Sequence, residues 1–174
     1  MRSEKEMFDL FLCVANHDER IRIVGMEGSR TNINVPKDDF QDYDISYIVT
    51  DMKSFIKNDD WLDIFGKRII TQKPEAMDLF PPHNEWFSCL MIFEDGIKID
   101  LSIIPIELIS DYLASDKLIK ILLDKDGLIA NPPIPTDEDY WINKPSAAFV
   151  EYEYLNESSE KRYACILSIK SSSI

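Results

Sequence analysis

The alternation of side chains over residues 41–49 constrains this chain more than any other feature. Successive side chains of an extended segment point to opposite faces. Tyr43, Ile45, Tyr47 and Val49 therefore share one side, the side expected to face a core, and Asp42, Asp44 and Ser46 share the other. Two carboxylates at i and i+2 on one strand face can hold a divalent cation between them. A short, β-branched apolar stretch precedes them at 21–26 and reads as a second strand. It stops at Glu27-Gly28-Ser29-Arg30, where the glycine permits a tight turn and close backbone approach, and a hydroxyl and a guanidinium follow at once. The stretch 21–50 thus reads as strand, phosphate turn, connection, strand.

A second acidic strand has the same form. Over 97–103, Ile97, Ile99, Leu101 and Ile103 fall on one face, while Lys98, Asp100 and Ser102 fall on the other. If the two strands are neighbours, Asp42, Asp44 and Asp100 converge. Three carboxylates beside a Gly28-Ser29 turn suit phosphoryl chemistry: hard oxygen ligands hold magnesium, and the turn's amides and hydroxyl hold a nucleotide's phosphates.

Gly28-Ser29-Arg30, then Asp42-Tyr43-Asp44, then Ile99-Asp100-Leu101 resemble the active-site pattern of the polymerase-beta-type nucleotidyltransferases. More closely, residues 1–148 resemble the N-terminal part of the aminoglycoside 6-adenylyltransferases, the streptomycin-modifying resistance enzymes. The likeness extends through Asn34-Val35-Pro36-Lys37, Phe93-Glu94-Asp95-Gly96, Leu122-Leu123-Asp124-Lys125-Asp126-Gly127 and Pro135-Thr136-Asp137. It implies an α+β nucleotidyltransferase fold, with a mixed, mostly antiparallel sheet flanked by helices. It also implies a domain at 1–148 and a tail at 149–174 unlike the family, which continues into a helical C-terminal domain that helps form the aminoglycoside site.

The resemblance implies a magnesium-dependent transfer of AMP from ATP to the 6-hydroxyl of a streptomycin-type aminoglycoside, conferring antibiotic resistance. In that scheme Asp42 and Asp44 hold magnesium, Gly28 and Ser29 position the phosphates, and Arg30 is a candidate for added charge. Asp100 takes the proton of the attacking hydroxyl or shares a metal. Two other classes stay open. One is a truncated remnant that binds nucleotide or merely folds, and that could form a homodimer through apolar surface left uncovered. The other is a minimal nucleotidyltransferase with a different acceptor.

A chain of 174 residues, 45% of them hydrophobic, has room for one cored domain and a small addition. The net charge of -13 argues against a nucleic-acid partner and suits a polycationic one. Cys13, Cys89 and Cys165 are far apart and in no metal-like spacing, so reduced thiols are expected. The N-terminus lacks the apolar run of a signal peptide, and no stretch is long enough to span a membrane, so the expectation is a cytoplasmic protein.

Elsewhere the elements read as follows. Ser3 and Glu6 form a capping box before Met7, Leu10, Phe11 and Val14, which recur at helical spacing and predict a first helix ending near His17. His17 is expected at the surface. Residues 31–39 read as a loop, with Asp38 and Asp39 as solvated charges. Residues 58–65 read as a short helix with Trp61 in the core, and 68–72 as a strand. Adjacent prolines make 80–85 a loop, with Glu85 and Trp86 beside it as weak candidates for contact with a sugar. Residues 86–93 and 97–104 form a hairpin about Asp95-Gly96. Pro105 starts a helix, 117–123 form another, and 124–127 form a turn, since Leu122 and Pro133 cannot serve as the end ligands of a calcium loop. An extended connector at 131–135 and one more helical turn from Thr136 complete the pattern.

Overall fold

Period-two alternation organises the molecule into a six-stranded sheet with unlike faces. The computed structural model describes residues 1–38, 41–77 and 85–135. Its strands are β1 (Ile21–Glu27), β2 (Tyr43–Val49), β3 (Arg68–Gln72), β4 (Phe87–Phe93), β5 (Lys98–Pro105) and β6 (Lys120–Asp124), in the spatial order β3-β4-β5-β2-β1-β6. The central pair, β2 with β5, is parallel and every other pairing is antiparallel. The mixed, mostly antiparallel sheet of an α+β fold is therefore present.

One face is apolar throughout. Tyr43, Ile45, Tyr47 and Val49 of β2 and Ile99, Leu101 and Ile103 of β5 join Val24, Met26, Met91 and Phe93 in a single buried cluster. Helix α1 (Glu4–His17) contributes Met7, Phe11, Val14 and Ala15 to it. The helix starts where Ser3 caps it: the Glu6 amide donates to Ser3 Oγ, and the Ser3 amide donates to the Glu6 carboxylate. Such a cap stabilises a helix by about 1 kcal/mol. Tyr47 fixes the helix to the sheet through a buried hydroxyl that donates to Phe11 O at 3.0 Å. Phe55 of α2 (Met52–Lys57) and Leu62 and Phe65 of a 3-10 turn, Asp60–Phe65, close the same cluster.

The opposite face is divided. Ile23, Ile48 and Ile104 form an apolar end, covered by Tyr112 of α3 (Ile109–Ser115) and by Ile119. At the other end the residues on this side are Asp44, Ser46, Asp100 and Ser102, and the strand face is polar.

Several expectations need correction. Residues 117–123 do not form a helix: 120–124 are β6, antiparallel to β1. Leu118, Ile119, Leu122 and Leu123 satisfy helical spacing. However, the free edge of β1 offers ladder hydrogen bonds, and an extended chain sends Ile121 to one cluster and Leu122 to the other. Helix α2 was not expected, although Asp51 caps it through the Ser54 amide. The short helix read at 58–65 is present as a 3-10 helix, Asp60–Phe65, whereas Pro105 ends β5 before a 3-10 turn, Ile106–Leu108, leads into α3. Strand β2 begins at Tyr43, so Asp42 lies immediately before it rather than within it.

The hairpin of β4 and β5 and the strand at 68–72 occur as read. His17 is exposed, with Nδ1 2.8 Å from Cys13 O. Trp61 is half-buried between Phe55 and Phe65. Cys13 and Cys89 are free thiols, and no helix among the described residues is long and apolar enough to cross a membrane. Cys165, most of the proline loop, the helical turn from Thr136 and the boundary at 148 lie outside the described residues.

Candidate active site

Carboxylates from three adjacent strands stand at one level of the sheet. Glu27 ends β1 and is in register with Asp44 of β2, which is in register with Asp100 of β5. The next polar level carries Gly25, Ser46, Ser102 and Ser88 side by side on four strands. Asp42 reaches in from just before β2. Asp42, Asp44 and Asp100 each offer an oxygen within 4.8 Å of the others, as the two acidic strand patterns require if they pair.

The turn after β1 is built against these carboxylates. Gly28 opens a 3-10 turn, Gly28–Thr31, with φ of 71°. A Cβ on Gly28 would lie 2.3 Å from Asp44 Oδ2, so only glycine lets the turn approach the carboxylate this closely. Ser29 follows, half-buried, and Thr31 Oγ1 lies 2.7 Å from Leu118 O, which ties the turn to the segment leading into β6.

Arg30 has a different position from that of a charge directed into the turn. Its Nε donates to Asp42 O and its Nη2 to Gln41 O, both at 2.7 Å, and the guanidinium lies 3.8 Å over the Tyr43 ring. Arg30 therefore clamps the backbone that carries Asp42. A planar fork stacked on an aromatic ring suits that task better than a lysine would.

Electrostatics at the cluster are unbalanced. Burial, then the charges of Asp42 and Asp100, push the Asp44 carboxyl up to about 7. Lys98 is the cation in contact, donating to Asp42 Oδ2 at 2.6 Å and Asp100 Oδ2 at 2.8 Å. Burial alone would lower its pKa, but the bonds to Asp100 and Asp42 outweigh that and hold it above the usual lysine range. One ammonium against three carboxylates leaves an excess of negative charge. Asp100 Oδ1 is buried with no hydrogen-bond partner. An all-oxygen set, an orphaned oxygen and uncompensated charge fit a hard divalent cation.

Two residues not singled out from the sequence complete the wall. The Glu27 carboxyl accepts a short hydrogen bond from the Tyr112 hydroxyl. Burial pushes Glu27 up to about 7, against the lowering influence of Tyr112 and Ser46, with the Asp44 charge adding to the rise. Burial and the Glu27 charge push the Tyr112 phenol up as well. Tyr112 crosses β1 where Gly25 lies: a Cβ there would be 1.8 Å from its hydroxyl. A glycine inside a β-branched run was the available signal for such an approach. Glu27, Asp44, Asp100, Trp86, Tyr112 and Asp116 are among the residues lining a cavity of about 400 Å³ over the polar strand face. Trp86 stands edge-on to Tyr112 at its rim.

Known proteins with this sequence pattern are similar over most of the chain. An aminoglycoside 6-adenylyltransferase of Campylobacter jejuni is 60% identical over 146 residues, covering 84% of this chain and 51% of that protein. One of Bacillus subtilis (strain 168) is also 60% identical, over 149 residues, with 84% and 52% covered. A crystal structure of an aminoglycoside 6-adenyltransferase from Bacillus subtilis superposes with a TM-score of 0.62 at 55% identity, covering 74% of this chain and 43% of that one. The chain thus spans about half the length of the relatives it matches. The family model described as streptomycin adenylyltransferase matches residues 1–159, and on that match the chain belongs to the streptomycin adenylyltransferase family.

Proposed function

We propose that this chain carries the nucleotidyl-transfer site of an aminoglycoside 6-adenylyltransferase and moves AMP from ATP to the 6-hydroxyl of a streptomycin-type acceptor. The observation that carries the reading is the convergence of Asp42, Asp44 and Asp100 within 4.8 Å beside the Gly28 turn. In this reading the three carboxylates hold magnesium, which supplies positive charge against the phosphates when bound. Gly28 and Ser29 bring backbone amides and a hydroxyl to the phosphates, and Arg30 keeps Asp42 in place.

The acceptor lies over the polar strand face. Its oxygen forms a bond to the α-phosphorus while the bond from that phosphorus to pyrophosphate breaks, and the hydroxyl proton passes to Asp100, whose Oδ1 has no competing partner. The alternative role for Asp100 is as a metal ligand alone. Serines 46, 88 and 102 offer hydroxyls, and Glu27 and Asp116 offer negative charge, so the cavity suits a polyhydroxylated cation. The net charge of -13 acts in the same direction.

The test is pyrophosphate release by the purified chain with magnesium, ATP and streptomycin, with product mass checked for one added AMP. Asp42→Asn and Asp100→Asn should each abolish it; transfer retained in either variant would remove the role assigned to that residue. A second reading, a site that binds magnesium and nucleotide but does not transfer, draws on the coverage of only about half of each relative. Nucleotide binding without streptomycin-dependent release would favour it.

A further inference from the structure

The acidic cluster and a second cavity share one residue, Lys98. On one side its ammonium bridges Asp42 Oδ2 and Asp100 Oδ2 at 2.6 and 2.8 Å. On the other it lines a cavity of about 270 Å³ together with Arg2, Arg30, Lys37 and Gln41. The cavity is rich in cations. The carboxylates Glu4 and Asp38 line it as well, and three of the cations are already engaged: Arg2 by Asp95 and Phe65 O, Arg30 by backbone carbonyls and Lys37 by Glu4. Gln41 is not: its Oε1 and Nε2 are both buried without a hydrogen-bond partner. An unpartnered amide donor buried beside a lysine and an arginine is a group prepared for an anion.

A divalent cation held by Asp42 and Asp100 would use the oxygens that Lys98 now contacts, and the two cations would repel at that separation. The lysine side chain is 41% exposed and flexible, so it has room to turn. The cavity it already lines is the direction in which an anion would hold it. We propose that Lys98 is an exchanging cation: it neutralises Asp42 and Asp100 until a divalent metal takes them, and then pairs, with Gln41 Nε2, with the pyrophosphate end of the nucleotide. No bond is made or broken in this step. It rests on the nucleotidyl-transfer reading and adds to it a residue that couples metal occupancy to phosphate capture.

The two halves of the exchange predict changes of opposite sign. Free Mn²⁺ in titrations of the intact chain, read by electron paramagnetic resonance, should show Lys98→Met binding the metal several-fold more tightly than wild type, because the internal competitor is gone. Calorimetry with pyrophosphate at saturating Mn²⁺ should show the same variant binding at least tenfold more weakly. Lys98→Gln provides the same comparison if the methionine variant does not fold. Gln41→Leu should weaken pyrophosphate binding and leave Mn²⁺ affinity within twofold. Both constants moving in the same direction for Lys98→Met, or neither moving, would overturn the exchange and leave Lys98 a plain counter-ion. If wild type binds neither Mn²⁺ nor pyrophosphate, the transfer reading and the exchange fall together. Wild-type binding of both ligands without the opposed signs removes the exchange alone.

Discussion

Replacing Asp44 by asparagine should make the metal-free protein more stable at alkaline pH. Asp44 is held at about 7 instead of its ordinary 3.8 by burial and by the neighbouring Asp42 and Asp100 charges. A raised folded-state value means that the unfolded chain ionises first. The native state therefore keeps its full stability below the unfolded value and loses it as pH climbs through about 7. The shift sets a ceiling of about 4 kcal/mol, and charge shared across the cluster reduces the expected gain to about 2–3 kcal/mol. For a domain of this size that corresponds to roughly 5–10 °C in Tm. The assay is thermal unfolding by circular dichroism in a chelator, wild type against Asp44→Asn, from pH 4 to 8.5. The two curves should coincide near pH 4 and separate steadily up to about pH 7.5. A variant that is less stable at pH 8, or a difference that does not change with pH, would refute the account. Magnesium should reverse the order, since it stabilises only the protein that still has the carboxylate.

Two further substitutions probe the supports of the site. Gly28→Ala introduces a Cβ 2.3 Å from Asp44 Oδ2 in a left-handed conformation, and should cost about 2 kcal/mol in denaturant unfolding and abolish AMP transfer. Arg30→Lys removes the paired hydrogen bonds to the Gln41 and Asp42 carbonyls and the stack on Tyr43. It should cost about 1–3 kcal/mol and weaken Mn²⁺ binding although Arg30 touches no metal-directed carboxylate oxygen, both measurable on the same sample.

The strands that carry the site were legible because a half-buried strand has a period of two, and both 42–47 and 97–103 keep that period, which Ile48 and Ile104 then end. Their partnership was legible only as a condition. The segment at 117–123 misled because Leu118, Ile119, Leu122 and Leu123 fit a helix, and what decides against it is a vacant edge of β1 nearly a hundred residues away. Glu27 was read as a turn residue since it precedes Gly28. Its role in the wall depends on Tyr112, 85 residues further on, and on the absence of a side chain at Gly25. Arg30 could be read as a charge, but no local pattern says that its fork closes on the carbonyls of Gln41 and Asp42.

The parallel pairing of β2 with β5 has a consequence for how the protein assembles. Every other strand pair joins by a hairpin or by an edge added to one, whereas this pair unites 43–49 with 99–105 across the whole excursion through α2, β3 and β4. Contacts of such long sequence separation close late, after the entropy of a long loop has been lost. Asp44 and Asp100 stand on adjacent strands of that pairing, so the cation site comes into existence only when this parallel seam of the sheet has closed. A divalent ion would then report closure of that seam and hold it shut, so that magnesium slows unfolding more than it speeds folding.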